Sequence, residues 1–170
     1  YLNLQTIYDK IVEHNRGGFC YEVNGLFHWL LRELGYLAYF VPATVKRPNG
    51  IWAKEHTHVA LIVQLDVPYL VDVGFGPATP RVPIPLDGSI RQDISSFYRI
   101  ETLADDSLDL IQKNEVGERI LYRFTLDYQN LADFHEGCVF NQVSEGSSFT
   151  HFDIITRATP SGRITLSNNE

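Results

Sequence analysis

The apolar positions Leu4, Ile7, Tyr8 and Ile11 recur at i, i+3, i+4 and i+7, the spacing of one helix face. Gly17 and Gly18 interrupt that pattern. It resumes in Val23, Phe27, Leu30, Leu31 and Leu34, after which Gly35 supplies a C-terminal cap. From Tyr36 the period changes. Segments 36–45, 57–65 and 69–73 are short β-branched or aromatic runs, and Asp66-Val67-Pro68 between the last two marks a tight hairpin. The Gly- and Pro-rich segment 74–88 is too long and too broken for either regular element, and is expected to run as an extended loop over the surface. Further strands are expected at 97–103, 107–111 and 119–126. Segment 130–143 returns to helical spacing, with Leu131, Phe134, Cys138 and Val139 near one face. Thr159-Pro160-Ser161-Gly162 then turns one last hairpin between 151–158 and 163–166. Helices first, strands next and a mixed end predict an α+β protein without internal repeats.

Of the 170 residues 44% are hydrophobic and 21% charged, so the chain can bury a substantial core and is not expected to be disordered. Its net charge of -7 repels phosphate backbones and anionic membrane surfaces, which argues against a nucleic-acid or membrane partner. No apolar run approaches the roughly 20 residues that span a bilayer. A cytoplasmic protein with reduced thiols is the expectation, since Cys20 and Cys138 cannot make a disulfide framework. Without cysteine pairs, and with scattered histidines, no metal site is expected either. The chain has no methionine and opens at Tyr1 within a helical pattern, and it stops at Asn168-Asn169-Glu170 soon after a strand. It is therefore expected to be part of a longer polypeptide.

Three segments carry candidate chemistry. In 16-RGGFCYEVN-24 the two glycines end one helix and the next begins near Phe19, which sets Cys20 at a helix N-terminus. Unpaired N–H groups and the macrodipole favour an anion there, such as a thiolate nucleophile. A small buried core residue is the plainer alternative. In 57-THVALIVQL-65 His58 opens an apolar strand, and His56 is a rival base two residues away. In 69-YLVDVGFG-76 Asp72 closes an apolar run and needs a donor, because an unpaired buried carboxylate is costly. Pairing 57–65 with 69–73 brings His58 and Asp72 to the same open end of adjacent strands. Cys20, His58 and Asp72 then supply a nucleophile, a base and an orienting group.

In order and in separation, RGGFCYEVN, THVALIV and YLVDVGFG resemble the signature segments of the arylamine N-acetyltransferases, and a weaker likeness extends to 147-SSFTHFDIITRATPSGR-163. The resemblance implies a cysteine-protease-like triad in which Cys20 takes the acetyl group from acetyl-CoA, with His58 as general base and Asp72 as its partner. The acceptor would be the nitrogen of an arylamine or hydrazine, or the oxygen of a hydroxylamine, in xenobiotic metabolism. His56 has no counterpart in the family pattern. The same likeness places Thr57 in the substrate site, Phe75 as an aromatic wall, Gly74 and Gly76 where cofactor and substrate approach, and Ser147, Ser148 and Phe149 among the CoA contacts. Phe75 can equally be core. For the fold, it implies a remnant of a helical domain over 1–35, an antiparallel β-barrel-like domain over 36–128, and the truncated start of an α/β lid over 129–170. Family members are considerably longer.

Two other functions use the same residues. A hydrolase or transglutaminase-like enzyme would pass an acyl group from Cys20 to water or to a lysine amine. A binding module would hold the three side chains for structural reasons alone.

Overall fold

The computed structural model describes residues 2–94 and 96–168. Tyr1, Asn169 and Glu170, on which the expectation of a longer polypeptide partly rests, lie outside them. The N-terminal stripe forms a helix α1 (Leu4–Tyr8), capped by the Asn3 side chain on the Thr6 N–H at 3.0 Å. It widens into a π-helical turn over Asp9–Glu13 instead of continuing as α-helix. Helix α2 (Cys20–Glu33) begins where the glycines predict and ends before Gly35, whose φ of +88° is the left-handed conformation such a cap requires. The buried face of α2 takes in only part of the apolar stripe, Phe27 and Leu31, which pack half-buried against the core. It carries Cys20, Tyr21, Asn24 and Gly25, while Leu30 and Leu34 stay exposed.

Strands β1 (Leu37–Val45), β2 (His58–Gln64) and β3 (Pro68–Val71) follow at the expected places. After them come β4 (Ile84–Pro85), β5 (Arg91–Gln92), β6 (Phe97–Thr102), β7 (Leu108–Asn114) and β8 (Gly117–Phe124). Together they make one antiparallel sheet in the order β4-β3-β2-β1-β8-β7-β6-β5. The sheet curls until β4 returns against β6, a nearly closed barrel whose interior holds Val41, Ala60, Ile62, Leu70, Ile84, Ile100, Leu110 and Phe124. Helix α2 packs outside on β1 and β2. Strand β2 is thus covered on both faces: Ala60 and Ile62 point into the barrel, Val59 and Leu61 toward the helix. That is why its sequence reads as a continuous apolar run and not as an alternation.

Segment 74–88 departs from the surface loop expected for it. Ala78, Ile84 and Pro85 are buried, Val82 and Leu86 pack on the barrel core, and Ile84–Pro85 pairs with β3 through Tyr69 and Leu70. Glycine and proline hid the strand, yet proline is tolerated here because β4 is an edge. Segment 130–143 forms a 3-10 turn (Leu131–Phe134) and helix α3 (His135–Val143), with Phe134 and Cys138 buried and Val139 exposed. A two-stranded sheet of β9 (Ile154–Thr159) and β10 (Gly162–Ser167) stands apart from the barrel sheet, joined by the predicted turn. Among the described residues no helix is long and apolar enough to cross a membrane.

Candidate active site

Cys20 is the first residue of α2. The helix start is held from two sides. Glu22 reaches back to accept the Phe19 N–H at 2.8 Å and is itself clamped by Lys10 at 2.8 Å. On the other side the backbone of Gly74 is so near that a Cβ there would stand 2.7 Å from Cys20 Cα. Glycine at 74 therefore serves the approach of the chain itself.

The β2–β3 register runs Leu61↔Val71 through Gln64↔Pro68. His58 shares the barrel-facing side of β2 with Ala60 and Ile62, and Asp72 continues the inward side of β3 set by Leu70. Their side chains meet at the open end: His58 Nε2 lies 2.7 Å from Asp72 Oδ2, with side-chain exposures of 4% and 0%. A salt-bridged pair this deeply buried is tolerated only if its remaining sites are satisfied. They are. Asn24 Nδ2 and the Gly74 N–H donate to Asp72 Oδ1 at 2.9 and 2.7 Å, and Tyr122 Oη donates to Oδ2 at 3.1 Å.

Burial opposes charge on the imidazole. The Asp72 carboxylate outweighs it, through its charge and its hydrogen bond, and a hydrogen bond with the Cys20 side chain adds to the effect, so His58 is pushed up from 6.5 to about 10. Burial likewise works to raise Asp72, yet the His58 charge and the donors from His58, Asn24 and Gly74 hold it below the ordinary carboxylate value. With Nε2 taken by Asp72, Nδ1 is the nitrogen left to face the thiol. A thiol, an imidazole and a carboxylate grouped in this way can open an acyl carbonyl by nucleophilic attack and hand a proton to the leaving group.

Sequence reasoning brings together Cys20, His58 and Asp72, and the structure places all three in one cluster. His56 stands outside it, exposed and in the left-handed region at φ 57°, on the turn before β2. Phe75 packs edge-on against the His58 ring, centroids 5.2 Å apart, and against Tyr122 at 5.0 Å. Phe149, 46% exposed, meets Phe19, the residue before Cys20, edge-on at 5.3 Å. Thr57 and Ser147 are buried, and their hydroxyls donate within the chain, to Lys54 O at 2.7 Å and Asn141 O at 3.1 Å. Gly76, at φ +80°, has open space where a side chain would go. Ser148 lies in the short 3-10 turn that carries Phe149. Two residues escaped the sequence reading. Tyr122 carries no signal beyond an aromatic in a strand, and Asn24, which carries none beyond a polar residue in the segment of Cys20, bonds Asp72 directly.

The whole chain, residues 1–170, matches the family model described as N-acetyltransferase. The chain belongs to the arylamine N-acetyltransferase family. It is 33% identical to the uncharacterized acetyltransferase YvcN of Bacillus subtilis over 96% of this chain and 66% of that protein. It is 32% identical to the arylamine N-acetyltransferase of Escherichia coli over 98% and 60%. The fold superposes with a TM-score of 0.90 on the Mycobacterium marinum arylamine N-acetyltransferase solved in complex with CoA, at 31% identity over 98% of this chain and 64% of that one. The chain thus spans 60–66% of the length of the two curated relatives. The likeness to this family covers all three segments of the site, since nearly the whole chain is aligned.

Proposed function

We propose that this arylamine N-acetyltransferase chain moves an acetyl group from acetyl-CoA, by way of a Cys20 thioester, to the nitrogen of an arylamine or hydrazine, or to the oxygen of a hydroxylamine. The observation that carries the reading is the buried His58–Asp72 pair at 2.7 Å, in hydrogen-bond contact with a cysteine at a helix start. In this reading Cys20 passes its proton to His58, which is raised to about 10, and a thiolate–imidazolium pair forms. The thiolate attacks the acetyl carbonyl carbon and forms a C–S bond. As the C–S bond to CoA breaks, His58 gives its proton to the departing sulfur. The now neutral His58 takes a proton from the acceptor nitrogen as the N–C bond forms, the Cys20 thiolate leaves, and the amide product departs. Asp72 keeps Nδ1 aimed at the reacting atoms and stabilises the imidazolium in each half.

For the pocket, the reading assigns Phe75 and Phe149 as aromatic walls. A flat arylamine ring gains about 0.5–1.5 kcal/mol from such contacts beyond burial. Gly76 keeps the rim open and Gly74 seats the loop against Cys20, while Thr57, Ser147 and Ser148 shape the rim. CoA is the second partner, as it is for the M. marinum relative. The division into helical (1–35), barrel (36–128) and lid (129–170) units is part of the same reading, as is a cytoplasmic setting, which suits two free thiols at Cys20 and Cys138. Initial-rate kinetics test the scheme: one thiol serving donor and acceptor in turn predicts parallel double-reciprocal lines. Intersecting lines would mean that both substrates bind together, and would overturn it.

A further inference from the structure

The peptide groups on both sides of His58 are held by asparagine side chains. Val59, which follows it, gives its carbonyl to Asn24 Nδ2 at 2.8 Å. Thr57, which precedes it, gives its carbonyl to Asn141 Nδ2, also at 2.8 Å. The second asparagine does more than the first on the nucleophile's side: the same Nδ2 donates to Tyr21 Oη at 3.3 Å, and Tyr21 is the residue after Cys20. Asn141, Thr57 and Tyr21 are 4%, 6% and 0% exposed, so water competes little for these bonds. Burial, and then the neighbouring thiols, push the Tyr21 phenol far above its ordinary value, which keeps it a neutral hydroxyl.

Helix α3 can approach this closely because residue 137, one turn before Asn141, is glycine. A Cβ there would lie 2.7 Å from His56 O and 2.8 Å from Tyr21 Oη. The Asn141 carbonyl also accepts from Ser147 Oγ at 3.1 Å, and Ser147 Oγ accepts the Phe149 N–H at 3.2 Å. One residue of α3 thereby touches the neighbour of the nucleophile, the neighbour of the base, and the turn that carries Phe149.

We infer that Asn141 is a positioning residue for the Cys20–His58 pair. Its amide bonds the residue after the nucleophile and the residue before the base, and so fixes the gap across which the proton passes. The inference rests on the roles given to Cys20 and His58 above. A shift of order 1 Å in such a gap can cost a hundredfold in rate, so a bond remote from the reacting atoms can still govern them.

Two variants test this without acetyl-CoA. Asn141→Asp keeps the shape and removes the amide donor, and Tyr21→Phe removes one oxygen from the buried site. Each is read by the ultraviolet absorbance of the Cys20 thiolate, as a difference against Cys20→Ser in the same background, by the rate of iodoacetamide alkylation at neutral pH, and by the urea midpoint. Asn141→Asp is expected to lose thiolate absorbance and alkylate about tenfold more slowly or worse while still unfolding cooperatively, with Tyr21→Phe intermediate. The double variant should add little to Asn141→Asp, since both changes break one link. Wild-type absorbance and alkylation in folded Asn141→Asp would overturn the inference. Where that variant does not fold, wild-type values in Tyr21→Phe overturn it alone. A wild-type protein that shows the thiolate yet takes no acetyl group from acetyl-CoA would overturn the acetyl-transfer reading and leave the positioning result standing.

Discussion

The backbone of Gly74 rests against Cys20 with no room for a side chain: a Cβ on residue 74 would lie 2.7 Å from Cys20 Cα and 2.9 Å from Asn24 Nδ2. Two glycines close in sequence thus have different reasons to be glycine. Gly74→Ala should force the helix start away from Asp72, costing about 1–3 kcal/mol of stability and most of the acetyl transfer. Gly76→Ala meets open space at φ +80° and should cost about 1–2 kcal/mol of backbone strain with transfer largely kept. Urea unfolding beside a transfer assay separates the two. Equal losses of activity would show that the contact with Cys20 is not what residue 74 provides.

Asp72→Asn keeps an acceptor for Asn24 and Gly74 but removes the charge that supports the His58 cation. Turnover should fall roughly a thousandfold or more in a folded protein. His56→Ala, at an exposed turn, should change it little. Single-turnover acetylation measures both, and a His56 dependence equal to that of His58 would contradict the assigned base.

The two shifted groups of the buried pair, Asp72 and His58, make stability depend on pH at opposite ends of the range. Asp72 is depressed, so its contribution is present above its ordinary value of 3.8 and is lost as the pH falls through its lower folded value. His58 is raised, so its contribution is complete below 6.5 and drains away as the pH rises through about 10. Urea midpoints should therefore peak between these ordinary values and decline on the alkaline side, and His58→Gln should flatten that alkaline decline. Parallel alkaline limbs in wild type and variant would refute it.

Tyr122 Oη and His58 Nε2 share Asp72 Oδ2. Tyr122→Phe removes one donor from a buried carboxylate and should cost about 1.5–3 kcal/mol at neutral pH, the range for hydrogen bonds to charged groups. The difference should shrink in acid as Asp72 protonates, which a pair of denaturation curves at two pH values reveals. A constant difference would locate the effect in packing alone.

The grouping of Cys20, His58 and Asp72 was legible because each sits where local pattern and chemistry coincide: a cysteine after Gly17-Gly18, a histidine opening a strand, an aspartate closing its hairpin partner. Their environment was far less so. Tyr122 reaches Asp72 only because β8 lies inside a barrel that closes across the whole chain, and Asn141 meets Thr57 from 84 residues away. No short-range period encodes such meetings. The apolar stripe of α2 was right only in part: Phe27 and Leu31 pack on the core, Leu30 and Leu34 are exposed, and the deepest positions are Tyr21, Asn24 and Gly25. Segment 74–88 was obscured by composition, its two-residue strand being set by the edge of β3.

The claim that Cys20 carries the acetyl group is tested most directly by intact-protein mass spectrometry after mixing with acetyl-CoA, followed by peptide mapping. The thiol competing for the label is Cys138, which burial pushes above its ordinary value and which Gln142 Nε2 contacts at 3.2 Å. A single acetyl group on the peptide containing Cys20, discharged by an added arylamine and absent in Cys20→Ser, is the predicted result. An acetyl group on Cys138, or undiminished uptake by Cys20→Ser, would contradict it.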